Sequence, residues 1–314
     1  ANAIAIGLEA GKSGQIDNAV AIGRSAGYNA QGNSSVAIGY LAGSADQGAS
    51  SVAVGVNAGL NAQSDDSVAI GVAAGCVSQG ASSVAVGNSA GLNQQGASAV
   101  AVGVNAGQAS QSIHGVAVGN AAGSNAQGDS SVAVGRAAGQ ISQAASSVAV
   151  GYVAGQNQQG GSSIAIGLRA GCGAQAANSV AMGVDAGKTS QGGSSVAIGY
   201  QAGLNVQGAA SVAIGKLAGS ADQGADAIAI GRSAGSNSQG GYAIAIGLGA
   251  ANTAQGINTV AIGRDAGEQD QGSESIAIGY EASCDSQGVD CISIGRQAGR
   301  TNQGENCVAI GGLS

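Results

Sequence analysis

The sequence predicts an all-β fold, a parallel β-solenoid (β-roll) of about twenty sixteen-residue turns, and three observations predict it. The phrase apolar-Ala-apolar-Gly recurs twenty times without insertion or deletion, its glycines falling at Gly7, Gly23, Gly39 and every sixteenth residue to Gly311. Two further positions of the same period are as constant as the glycine, one Ala and one Gln. The composition also forbids an ordinary globular core: 59 Gly and no Pro, Trp or Phe leave only small and β-branched residues to fill it. A fixed short period means that each repeat occupies one equivalent turn, so residues 1–314 are expected to form a single continuous solenoid without separate caps.

Each element follows from its column, counted from the phrase glycine as position zero. Position −3 is Val or Ile (Ile4, Val20, Val36), and −1 is Ile or Val with one Met182. β-Branched residues at alternate positions before a glycine read as a short strand. Successive side chains of a strand point to opposite faces. The −3 and −1 residues are therefore expected to fill the interior, with −2 facing out.

Position −2 is Ala in all turns but one, where Ser293 stands. An outward strip that keeps Ala and almost never varies is expected to be a surface for close approach. Ala5, Ala21, Ala37, Ala53, Ala69, Ala85, Ala101, Ala117, Ala133, Ala149 and Ala165 are thus the candidate self-association strip. The competing expectation is that the looser segment of the chain itself folds over them.

Positions +1 and +2 vary freely and read as solvent-facing. The small residues at +3 (Ala) and +4 (Gly, except Ala251 and Ser283) read as a tight corner. At +8 every complete turn has Gln. The column runs through Gln15, Gln31, Gln47, Gln63, Gln79, Gln95, Gln111, Gln127, Gln143, Gln159, Gln175, Gln191, Gln207, Gln223, Gln239, Gln255, Gln271, Gln287 and Gln303. An amide carries both donor and acceptor, so copies stacked about 4.8 Å apart are expected to form an axial ladder or to satisfy the backbone of the adjoining corner.

The phrase Ser-Ser-Val-Ala-Ile-Gly (Ser34 to Gly39, Ser194 to Gly199) with its small-residue corner resembles the YadA-like head and haemagglutinin-type repeats of trimeric autotransporter adhesins. Similar runs occur in viral fibre proteins. The resemblance covers all the turns and implies a left-handed parallel β-roll, often three chains side by side, at a cell or virion surface. The constant Ala-Gly corner and the Gln column depart from the family pattern.

Chemistry is sparse. A net charge of −7 with no run of Lys or Arg argues against a nucleic-acid partner, and no apolar stretch approaches the roughly 18 residues of a membrane span. The single His114 and five scattered cysteines do not make a metal site. No catalytic constellation, phosphate loop or cofactor motif is present, so neither an enzyme nor a cofactor is expected. Cys291 and Cys307 share one column on adjacent turns, within disulfide reach, or serve as small fillers.

The expected function is a structural or adhesive fibre that associates with copies of itself laterally or end to end, in an extracellular, cell-surface or virion-surface setting. One alternative is a recognition head whose contacts come from Tyr and Arg at +1 (Tyr40, Tyr152, Tyr200 and Tyr280 with Arg24, Arg136, Arg232, Arg264 and Arg296), touching a cell-surface or matrix ligand or a glycan. A remote alternative is an ice-binding solenoid.

Overall fold

A computed structural model describes residues 2–312. The chain divides into two compact units, Ala1–Gly161 and Ser162–Ser314. Each unit is a coil of parallel three-residue strands, and no helix occurs among the described residues.

In the first unit, one sheet is built from the phrase strands Ile4–Ile6, Val20–Ile22, Val36–Ile38 and their successors to Val148–Val150. Within the unit, successive strands pair in parallel at a spacing of sixteen residues, as in Val36↔Val52 and Ala37↔Ala53. A second sheet of eight strands runs from Asn29–Gln31 to Ile141–Gln143 and ends every strand on the constant Gln. The second unit repeats the plan, with phrase strands from Ile164–Ile166 to Val308–Ile310 and an eight-stranded second sheet from Thr189–Gln191 to Thr301–Gln303.

Backbone groups are paired between turns. The Val36 N–H donates to Ser51 O at 2.9 Å, and the Gly39 N–H to Ile22 O at 2.8 Å. Three-residue strands need sharp corners, and the corners are built from left-handed backbone. At Leu41, Asp46 and Ser50, φ is +54°, and the same three columns (+2, +7 and +11) are left-handed in nearly every turn. Such a conformation costs an L-residue about 1–2 kcal/mol, so the inter-turn ladders must over-determine it. The phrase glycine is required twice over. Gly39 has φ +132°, and a Cβ there would lie 2.4 Å from the carbonyl oxygen of Gly55 on the next turn.

The interior reverses the sequence expectation. The alanines at −2 are inside. Ala21, Ala37, Ala53, Ala69, Ala85, Ala101, Ala117, Ala133, Ala149 and Ala165 have no exposed surface, and only Ala5 on the first strand is exposed. Those from Ala21 to Ala149 pack with the +3 alanines, such as Ala42 and Ala58, into one small-residue core in the first unit. Ala197, Ala202, Ala213 and Ala218 do the same in the second. The chain's own second sheet and corner therefore cover the alanine strip. It is no surface for another molecule.

The Val and Ile at −3 and −1 point outward. Val36 is half-buried, and Ile38 and Ile198 are each 37 % exposed. The reason is room. A sixteen-residue coil holds in its lumen two alanines, a glutamine and a small −4 residue per turn, and a β-branched side chain at −2 would have nowhere to go. Outside, identical Val and Ile stack about 4.8 Å apart and shield one another, which is why most are half-buried while facing water.

Candidate interaction surface

The glutamines are the polar half of the core. Gln31, Gln63, Gln127 and Gln143 are among the largest fully buried side chains, and the column from Gln31 to Gln287 is at most 4 % exposed. Gln15 and Gln303 are half-buried. Each Nε2 reaches across the lumen to the first sheet. Gln47 donates to Val36 O at 2.9 Å, Gln63 to Val52 O at 2.9 Å and Gln207 to Val196 O at 2.8 Å. The glutamine is thus a strut between the two sheets.

It is also an axial ladder in several places. Gln95 Nε2 donates to Gln111 Oε1 (3.2 Å), Gln111 to Gln127 (3.1 Å), Gln143 to Gln159 (3.2 Å) and Gln223 to Gln239 (3.0 Å). The Oε1 atoms of Gln31, Gln47 and Gln63 face no N–H or O–H donor among the described residues. A Cβ at Gly43 would lie 2.6 Å from Gln47 Oε1, so the glycine Cα–H at +4 points at that oxygen and supplies a weak contact. This couples the +4 glycine to the +8 glutamine.

Sequence reasoning missed the −4 column, which is Ser, Thr, Ala, Gly or Cys in every turn. Ser51 has no exposed surface and donates from Oγ to Gly48 O at 2.6 Å, closing the corner before its phrase strand, as Ser67 and Ser83 do in theirs. The uniformly small size of the column was the available signal. Cys291 and Cys307 belong to it and are free thiols, Cys291 fully buried.

Two departures from the pattern explain each other. Ser283 replaces the +4 glycine, and Ser293 the −2 alanine. Ser283 Oγ donates to Ser293 Oγ at 2.6 Å, and Ser293 Oγ donates to Gln303 Oε1 at 2.6 Å. A hydroxyl in an alanine core is costly unless partnered, and here each supplies the other.

What remains for solvent is the outward apolar face. Its two columns hold only Val, Ile and Met182. Ile70 is 40 % exposed, Met182 38 %, and Ile262 37 %. In each unit ten strands about 4.8 Å apart and about 10 Å long give a face of roughly 500 Å², at the upper end of what a monomer leaves bare.

One border of the face is the +1 column. There Arg24 lies over the Tyr40 ring at 5.7 Å, Arg136 over Tyr152 at 5.4 Å, Lys216 over Tyr200 at 5.8 Å, and Arg264 and Arg296 on either side of Tyr280 at 5.4 and 5.9 Å. The sequence-expected recognition residues are thus engaged with one another between turns, although Tyr40, Tyr152 and Tyr200 stay 44–48 % exposed.

Burial, then the hydrogen bond to Glu268, pushes the Cys284 thiol up to about 12, so it stays protonated and poorly reactive at neutral pH. Among the described residues no group of three metal-ligating side chains converges, and no helix is long and apolar enough to cross a membrane. No protein-family model matches the chain, and no curated protein matches it.

Proposed function

We propose that the protein is a structural fibre component that associates with further copies of itself through the outward Val/Ile face. The observation that carries this reading is the chemistry of that face. Its −3 and −1 columns hold nothing charged or polar in any turn, although they face outward and free variation would cost the interior nothing. A surface under no constraint drifts toward polar residues, and a flat apolar strip of this extent is the kind that buries against a partner. Identical copies offer identical strips. The extracellular or particle-surface setting comes from the resemblance of the repeats and belongs to the same proposal.

The test is a four-site variant, Ile38→Glu, Ile70→Glu, Ile198→Glu and Ile230→Glu, two sites in each unit and all more than a third exposed. The wild type is expected to sediment as an oligomer or filament. The variant is expected to sediment as a monomer with its β-sheet circular dichroism retained. A wild-type protein that stays monomeric at high micromolar concentration contradicts the proposal.

A further inference from the structure

The ionic residues are segregated around each coil. All ten Lys and Arg stand at +1, +2 or +5. Of the 17 Asp and Glu, five (Glu9, Asp185, Asp265, Glu268, Glu281) share that side, which leaves 17 − 5 = 12 at positions +6 to +11. Four of those five are paired locally: Glu9 with Lys12 (2.8 Å), Asp185 with Arg169 (2.7 Å), Asp265 with Arg264 (3.1 Å) and Glu281 with Arg300 (3.2 Å).

The two corners that border the apolar face therefore carry opposite charge. The corner after each phrase strand presents the exposed cations Arg24, Arg136, Lys216, Arg232, Arg264 and Arg296 at +1. The corner before each phrase strand presents the exposed carboxylates Asp66, Asp129, Asp226, Glu274, Asp290 and Glu305 at +10 or +11, and no cation.

We infer that these two corners are the complementary halves of one contact between copies of this chain, and that they make the copies pack pointing in the same direction. The inference rests on the self-association reading above and deepens it. Take two copies facing each other across their apolar strips. If they are related by a rotation about an axis parallel to the coil, the basic border of one meets the acidic border of the other. Closed cyclic packing of more copies about such an axis gives the same match. If one copy is turned end over end, basic border meets basic border and acidic meets acidic. Like charges facing across a contact penalise that arrangement. The apolar face supplies attraction without direction, and the borders supply the direction.

The test uses two full-length charge-reversed proteins. In the first, Arg24, Arg136, Lys216, Arg232, Arg264 and Arg296 are all changed to Glu, which makes both borders acidic. In the second, Asp66, Asp129, Asp226, Glu274, Asp290 and Glu305 are all changed to Lys, which makes both borders basic. Sedimentation at low salt is expected to show each alone associating at least ten-fold more weakly than the wild type, and an equimolar mixture recovering most of the loss. A milder protein with the six cations changed to Gln serves if a reversed one fails to fold, with at least a three-fold weakening expected. End-over-end packing sets like charge against like in the wild type already, so reversing one border would leave association unchanged. A wild type that associates while the reversed proteins associate undiminished overturns this inference and spares the reading beneath it. A wild type that is monomeric overturns both.

Discussion

At the residue scale, the informative property of a column is how much variation in size it tolerates. Position −1 accepts Val, Ile and Met182, which differ in length and branching, and it faces out. Positions −2, +3 and +8 accept almost nothing but Ala, Ala and Gln, and they face in. Hydrophobic size alone pointed the other way, because the rule that apolar residues lie inside is one-way and says little about an exposed Val. The expected consequence is a reversed pair of mutational costs. Ala197→Leu should overpack the lumen and destabilise the monomer by about 3 kcal/mol. Its neighbour Ile198→Ala, already 37 % exposed, should cost about 1 kcal/mol. Thermal or denaturant unfolding of the two variants under dissociating conditions checks the order, and a larger loss for Ile198→Ala would contradict the placement.

At the scale of the element, one turn is a pair of three-residue strands clamped by a glutamine strut and pinned at its corners. The strand, the corner glycines and the importance of Gln were legible in the sequence from periodicity and constancy. Which strand face was inner was not, since an apolar-Ala-apolar triplet has the same period in either orientation. The seryl clasp at −4 was not legible either, because Ser at a strand entrance also reads as ordinary solvent-facing turn chemistry. Gln207→Glu should remove the donor to Val196 O and bury a carboxylate beside carbonyls, costing at least about 3 kcal/mol at neutral pH. Burial raises the folded-state pKa of such a carboxylate above the unfolded value of about 4.3, so the loss should shrink as pH falls from the raised value towards the unfolded one and change no further below it. Equal stability of this variant and the wild type at pH 7 would rule out the strut.

The serine pair offers a second test at this scale. Ser293→Ala alone should destabilise by about 1 kcal/mol by leaving Ser283 Oγ only its longer bond to Gln303 Oε1 (3.1 Å), whereas Ser283→Gly with Ser293→Ala restores the majority pattern and should recover most of that loss. Additive losses would show the two serines to be independent.

At the scale of the whole molecule, the small-residue lumen and the outward Val/Ile face are one fact. A coil this narrow excludes its larger apolar side chains and so carries them on its surface, where they can be buried only against another molecule. The −2 alanines are closed off inside the coil, so the self-association we propose is assigned to the Val/Ile columns on either side of them. The most direct measurement is the accessibility of methyl groups to a soluble paramagnetic agent, read by NMR on protein with labelled Ala and Ile methyls. It is made on the assembled wild type and on the dispersed four-site glutamate variant. The account predicts that Ile214 and Ile262 are shielded in the assembly and strongly relaxed in the dispersed protein, while Ala213 and Ala261 are protected in both. Ile methyls equally exposed in both states, or Ala methyls reached by the agent while the β-sheet signal persists, would contradict it.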